Sequence, residues 1–241
     1  LLVGLMGHFD LSEELAGDVI APARRAHTPD AEALVPAISG VIAYRKGDLD
    51  AAAAAMGRAR EVYAEIGAQA DVDEIDLRLA WVALHRGDRA GAEATAQRVL
   101  GETIRRGSAG PQIGAHHLLA KLEVIRGDAA SAWHHIDAAL VPAREHDNTY
   151  VMTAVLETAA CVFHLDGEFR SAARALAAAD QRTKYLMILR GPHDEADFQA
   201  CVASLRDALG DDEFDALWDE GSQTPIQEAA DAVLGTVSAT V

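Results

Sequence analysis

Glu157, Cys161 and His164 stand at i, i+4 and i+7, a spacing that puts a carboxylate, a thiol and an imidazole on one face of a helix. With His117 from a neighbouring helix they are metal-ligand residue types, and Cys161 with His164 is a thiol–imidazole pair. Such residues more often form a buried thiol among solvated polar groups, and no orienting third group or oxyanion donor accompanies them. Neither metal chemistry nor nucleophilic catalysis is therefore expected, and no cofactor is called for. The chain has ten histidines, including His116-His117 and His134-His135. Adjacent helical residues point about 100° apart, so neither pair chelates one ion by itself. His193-Asp194-Glu195 after Gly191-Pro192 reads as a helix start and lacks the second His of H-E-x-x-H. No G-x-x-x-x-G-K-[ST] phosphate cradle occurs. The run Asp71-Val72-Asp73-Glu74-Ile75-Asp76 reads as the acidic opening of a helix, and Arg24-Arg25 and Arg105-Arg106 as basic helix ends.

The elements that must position these groups are helices. Fifty of 241 residues are alanine and only twelve are aromatic, which favours closely packed helices over a sheet. A net charge of −17 argues against gripping phosphate backbones or an anionic membrane surface. Two cysteines, Cys161 and Cys201, make no disulfide framework, so a reducing cytoplasm is the expected compartment. No apolar run reaches the roughly 18 residues of a membrane span. The opening Leu1-Leu2-Val3-Gly4-Leu5-Met6 has no basic leader, and a start without methionine suggests a piece of a longer protein.

Periodicity fixes the arrangement. Gly47-Asp48, Gly87-Asp88, Gly127-Asp128 and Gly167-Glu168 recur at one constant interval, a period of 40, with Gly7 one step earlier. Small residues keep the same spacing: Ser12, Ala52, Ala92, Ala132 and Ala172 lie five after each Gly. Gly40, Ala80, Ala120 and Ala160 lie seven before it, with Ala200 continuing the series. Val19, Ala59, Val99, Ala139 and Ala179 lie twelve after. Each unit parses as helix, tight turn, helix: the Gly supplies a left-handed C-cap and the acid caps the next helix. The predicted pairs are 28–46 with 48–67, 71–86 with 88–106, 111–126 with 128–145, and 149–165 with 168–189. Small side chains let the paired backbones approach.

A Gly-acid turn flanked by small residues at these offsets resembles the tetratricopeptide repeat, with its usual unit of about 34 residues lengthened. HEAT-type helix pairs are the rival reading, since they share the longer period but give no reason for the turn. The stretch Ala172-Ala173-Arg174-Ala175-Leu176, then Gly191-Pro192, Leu205-Arg206-Asp207-Ala208-Leu209-Gly210, Phe214-Asp215-Ala216-Leu217-Trp218-Asp219-Glu220-Gly221 and Thr224-Pro225-Ile226 is more specific. It resembles the end of the helical-repeat region in large bacterial ATP-binding transcriptional regulators of the LuxR and AfsR/MalT type. In the sixth unit the turn slips to Gly210-Asp211, and helices at Phe214–Trp218 and 225–234 read as a solenoid cap. The expected organisation is thus repeats over 1–190, a degenerate repeat and cap over 191–234, and a tail over 235–241.

The resemblance implies an all-α, right-handed superhelix whose first helices line a concave groove. Carried onto this sequence, the groove positions are Leu34, Ala37, Val41, Tyr44 and Arg45 in the second unit, and Glu74, Leu77, Trp81, Leu84 and His85 in the third. The fourth offers Gly114, His117, Lys121, Val124 and Ile125, and the fifth Ala154, Glu157, Cys161, His164 and Leu165. This mixture suits a partner protein, an extended peptide or a small effector. The bland alternative is that Tyr44 and Trp81 fill contacts between helices. The expected function is a non-catalytic sensor or interaction segment of a transcriptional regulator that itself touches neither nucleic acid nor membrane. A homodimer through the first repeat is also expected. The alternatives are a free-standing adaptor and, ranked below it, a metal or thiol enzyme.

Overall fold

A computed structural model describes residues 29–186 and 190–240. The first unit's Gly7, Ser12 and Val19, the dimer expectation tied to it, and Arg24-Arg25 lie outside the described residues. Among the described residues the chain is all α-helix, eleven helices in all: α1 Pro29–Arg45, α2 Leu49–Glu65, α3 Gln69–His85, α4 Arg89–Arg106, α5 Ala109–Arg126, α6 Ala129–Glu145, α7 Thr149–Leu165, α8 Phe169–Tyr185, α9 Pro192–Leu209, α10 Asp211–Gln223 and α11 Ile226–Thr240.

From α1 to α8 the helix starts are evenly spaced, at half the interval of the Gly-acid series. That series therefore marks only every second turn. Between its members stand Gly67 (φ 74°), Gly107 (φ 68°) and Asp147 (φ 50°), in the same left-handed region as Gly47, Gly87, Gly127 and Gly167. The bonds around them are equally regular. Gly87 N–H donates to Leu84 O at 2.9 Å and Asp88 N–H to Ala83 O at 2.9 Å, and the equivalent pair recurs at Asp147 and Asn148. This is the Schellman closure, which satisfies carbonyls that the end of a helix otherwise strands. The residue after the turn then accepts from the next helix's first turn: Asp48 from Ala51 N–H, Asp88 from Gly91, Asp128 from Ser131 and Asn148 from Val151. One helix of nearly constant length and one short turn thus repeat as a module of half a period.

The small residues stand where helices touch. Ala52, Ala92, Ala132 and Ala172 are fully buried, as are Ala59, Val99, Ala139 and Ala179, and Ala80, Ala120 and Ala160 are at most 2% exposed. Ala200 breaks the series and is exposed. At Gly40 even a methyl group would press on the Met56 side chain and on the α2 backbone.

The chain divides into two compact units, Leu1–Pro111 with Leu186–Glu195 and Gln112–Tyr185 with Ala196–Val241. The division falls within the first turn of α5 and the first turn of α9. In the first unit α1 packs on α2, α2 on α3 and α3 on α4. In the second, α6 packs on α7 and α7 on α8; α10 lies on α8, while α11 lies against α6, α7 and α8. Phe214, Leu217, Ile226 and Val233 enter this core beside Leu156 and Leu176.

Several expectations need correction. α8 ends at Tyr185, not 189, and α11 continues past Gly235 to Thr240. α5 begins at Ala109 because Pro111, lacking an N–H, fits a first turn whose N–H groups have no intrahelical acceptor. The acidic run of α3 is more than a helix opening. Asp73 is fully buried and Asp76 is 5% exposed. Asp76 accepts from Arg60 Nε at 2.5 Å and from Arg98 Nη2 at 2.6 Å, and Arg106 pairs with Asp73. Arg106 is therefore a tie from α4 to α3 and not only a helix-end charge. Burial of these carboxylates is tolerated because each is ion-paired and hydrogen-bonded.

Candidate functional site

The groove candidates separate into two clusters, one in each unit. In the first, Tyr44 and Arg45 end α1, and Glu74, Trp81 and His85 lie on α3. The start of α9 completes the cluster. His193 stacks on His85 with ring centroids 4.9 Å apart, and Asp194 lies 3.6 Å from Arg45 and 3.5 Å from His85 Nε2. Tyr44 and Trp81 flank the same imidazole at 5.6 and 6.2 Å. Pro192 sits against Gly47, and Gly191 passes close to the Tyr44 and Arg45 backbone. Tyr44 and Trp81 are half-buried, combining ring contacts with a solvent-facing edge. Glu74, also half-buried, has its carboxyl pushed upward by burial, partly offset by Arg78, with Asp71 and Asp73 adding to the rise.

The second cluster lines α5, α7 and α9. His117 Nε2 is 3.1 Å from Thr158 Oγ1, and His164 Nε2 is 2.7 Å from Ser204 Oγ. Lys121 donates to Asp197 at 2.7 Å. The Cys161 thiol donates to Glu157 O at 3.4 Å, and Cys201 lies close enough to hydrogen-bond to Cys161. That bond, helped by the Lys121 ammonium, pulls the Cys161 thiol below its ordinary range against the opposing effect of burial. The Cys201 thiol goes up, because it is the donor, is partly buried, and faces the sulfur that ionises first.

The helical phase thus brings together Tyr44, Arg45, Trp81 and His85 in one unit, and His117, Lys121, Glu157, Cys161 and His164 in the other. It does not bring out every candidate. Ala37, Val41, Leu77 and Leu84 are 3–7% exposed and belong to the core. Of the partners contributed by α9, the sequence reads His193 and Asp194 only as a helix start and Cys201 only as one of two cysteines, and it singles out neither Asp197 nor Ser204. A signal existed for two of them: Cys201 and Ser204 stand one full period after Cys161 and His164.

A third group joins the two adjacent histidine pairs. His116 Nδ1 meets His135 Nδ1 at 3.0 Å, with the His134 ring 6.5 Å from His116. One imidazole must be neutral for that bond to form. Burial and the neighbouring His135 and His134 bring His116 down to about 4. Among the described residues no three His, Cys, Asp or Glu side chains gather to hold a metal ion. The second cluster explains this locally: each imidazole is engaged with a hydroxyl, and the thiols face each other. Among the same residues no helix is long and apolar enough to cross a membrane.

No family model matches the sequence. Over 186 residues, 76% of the chain, it is 29% identical to a Mycobacterium tuberculosis protein described as a "putative HTH-type transcriptional regulator". The same identity and coverage hold for a protein so described from Mycobacterium bovis. The likeness is to transcriptional regulators. The match takes up 20% of each relative, so the chain spans about a fifth of the length of the curated relatives it matches.

Proposed function

We propose that this chain is the helical-repeat segment of a larger bacterial transcriptional regulator, of tetratricopeptide type, working by binding and not by catalysis. The observation that carries the reading is the 186-residue likeness to proteins described as HTH-type regulators, in which the match is a fifth of the whole. The paired helices with buried small residues at each crossing support a repeat scaffold. Each unit presents half-buried polar and aromatic side chains at the groove positions, a surface suited to a peptide or a small effector. The first unit offers Tyr44, Trp81 and Glu74, and the second Lys121, Glu157 and His164. In this reading the occupant favours one arrangement of the regulator over another by its differential affinity, and the change reaches modules outside this segment.

The test uses the intact gene product. Trp81→Ala and Lys121→Ala variants, checked by circular dichroism for unchanged helix content, are compared with wild type in a reporter driven by its own promoter. An altered response with retained DNA binding supports the reading. An intact product without a DNA-binding module, or a response unchanged when residues 29–240 are deleted, overturns it.

A further inference from the structure

Cys161 and Cys201 are the only cysteines of the chain and occupy equivalent positions one period apart, one on α7 and one on α9. His164 and Ser204, one helical turn further along the same helices, are joined at 2.7 Å and hold the two helices in that register. Both cysteines are free thiols on half-buried residues. Cys201 packs against the apolar core of its unit on one side and faces Cys161 on the other. Lys121, held by Asp197, supplies the nearby positive charge.

We propose that Cys161 and Cys201 form a dithiol site that hydrogen peroxide or an alkyl hydroperoxide oxidises to an intramolecular disulfide joining α7 to α9. Cys161 is the attacking sulfur. Its thiolate attacks the terminal oxygen of the peroxide, breaking the O–O bond, giving a sulfenic acid and releasing hydroxide, or alkoxide from an alkyl hydroperoxide. Cys201 then attacks the sulfenic sulfur; the S–S bond forms as the S–O bond breaks, and its proton leaves with the hydroxyl as water. Overall two thiols lose two hydrogens and one peroxide becomes two molecules of water, or water and an alcohol. A cellular dithiol reductant reverses the step by exchange.

The assignment of roles follows from the surroundings. Cys161 accepts the Cys201 S–H and lies within reach of the Lys121 field, both of which favour its thiolate. Cys201 donates and is held against apolar side chains, which keeps it protonated until the sulfenic acid appears beside it. The register set by His164 and Ser204 places the second sulfur beside the first, so the reaction is intramolecular. Neither helix end is involved, and the disulfide locks the α7–α9 contact that the second cluster depends on. This site is built by α7 and α9 with Lys121 of α5 beside them, and does not depend on the regulator reading.

The test treats the reduced chain with hydrogen peroxide and maps peptides without reductant. The expected product is a monomer lighter by two hydrogens with Cys161 linked to Cys201, restored by dithiothreitol. In Cys201→Ser, dimedone should trap a sulfenic acid at Cys161, whereas Cys161→Ser should leave Cys201 unlabelled under the same dose. Lys121→Met should slow disulfide formation several-fold at neutral pH and move its pH profile upward. Circular dichroism confirms that each variant is folded. Peroxide treatment that leaves the mass unchanged, gives only intermolecular disulfides, or labels Cys201 first overturns the proposal.

Discussion

Gly221 is a point at which one added methyl group should be decisive. Near the end of α10, its missing Cβ would lie 2.5 Å from Arg174 O, 2.8 Å from Arg174 Cα and 2.9 Å from Ala177 Cβ, all on α8. Ordinary contacts at that position would be 3.4–4 Å. Two of the three atoms are backbone, so relief requires α10 to slide off α8, taking Phe214 and Leu217 with it. Overpacking of this kind costs about 1–3 kcal/mol, and a Gly→Ala gain in helix propensity of at most about 1 kcal/mol offsets part of it. Gly221→Ala is therefore expected to lose about 1–2 kcal/mol, a fall in Tm of roughly 2–8 °C for a chain of this size. Gly57→Ala is the matched control: it lies inside α2 with nothing within 4 Å, so the propensity gain should stand alone and raise Tm by about 1–4 °C. Thermal unfolding by circular dichroism gives the values, and hydrogen exchange should place the Gly221→Ala loosening in α10. A Gly221→Ala protein as stable as wild type, beside a stabilised Gly57→Ala, would refute close backbone contact between α8 and α10.

Asp76→Asn removes the charge shared by Arg60 and Arg98 and should lower stability by about 1–3 kcal/mol, less than for a fully buried pair because both arginines are partly exposed; the urea midpoint at constant m-value measures it. His116 is neutral in the fold down to about pH 4 but takes up a proton near its ordinary value of 6.5 once unfolded. Discounted for the partial exposure of this imidazole, stability should therefore fall by about 1–2 kcal/mol as pH drops from about 6.5 to about 4, with no further loss from this residue below that. His116→Gln should flatten that part of a stability–pH curve. Gly87→Ala should cost about 1 kcal/mol in chemical denaturation, since a left-handed turn strains any Cβ even in open space.

The sequence by itself determined the elements, their repeat length and which positions are small, because a Gly-acid corner and a periodic Ala pattern are local signals. They specify where a helix stops, where the next is capped, and where backbones must approach. Three of the seven corners from Gly47 to Gly167 lack the following acid, at Gly67, Gly107 and Asp147, although their backbone closure is the same. The tertiary structure decided the partners. Whether Asp73 faces solvent or Arg106, and whether Leu77 lines a surface or a core, depends on helical phase to within a fraction of a turn, which composition does not encode. The joining of α9 to both clusters likewise needed three dimensions: His193 reaches back from the start of α9 to His85 at the end of α3, while Cys201 and Ser204 return to α7 over one full period. Sequence periodicity names equivalent positions, but only packing, through steric fit and the pairing of buried charge, turns equivalence into contact.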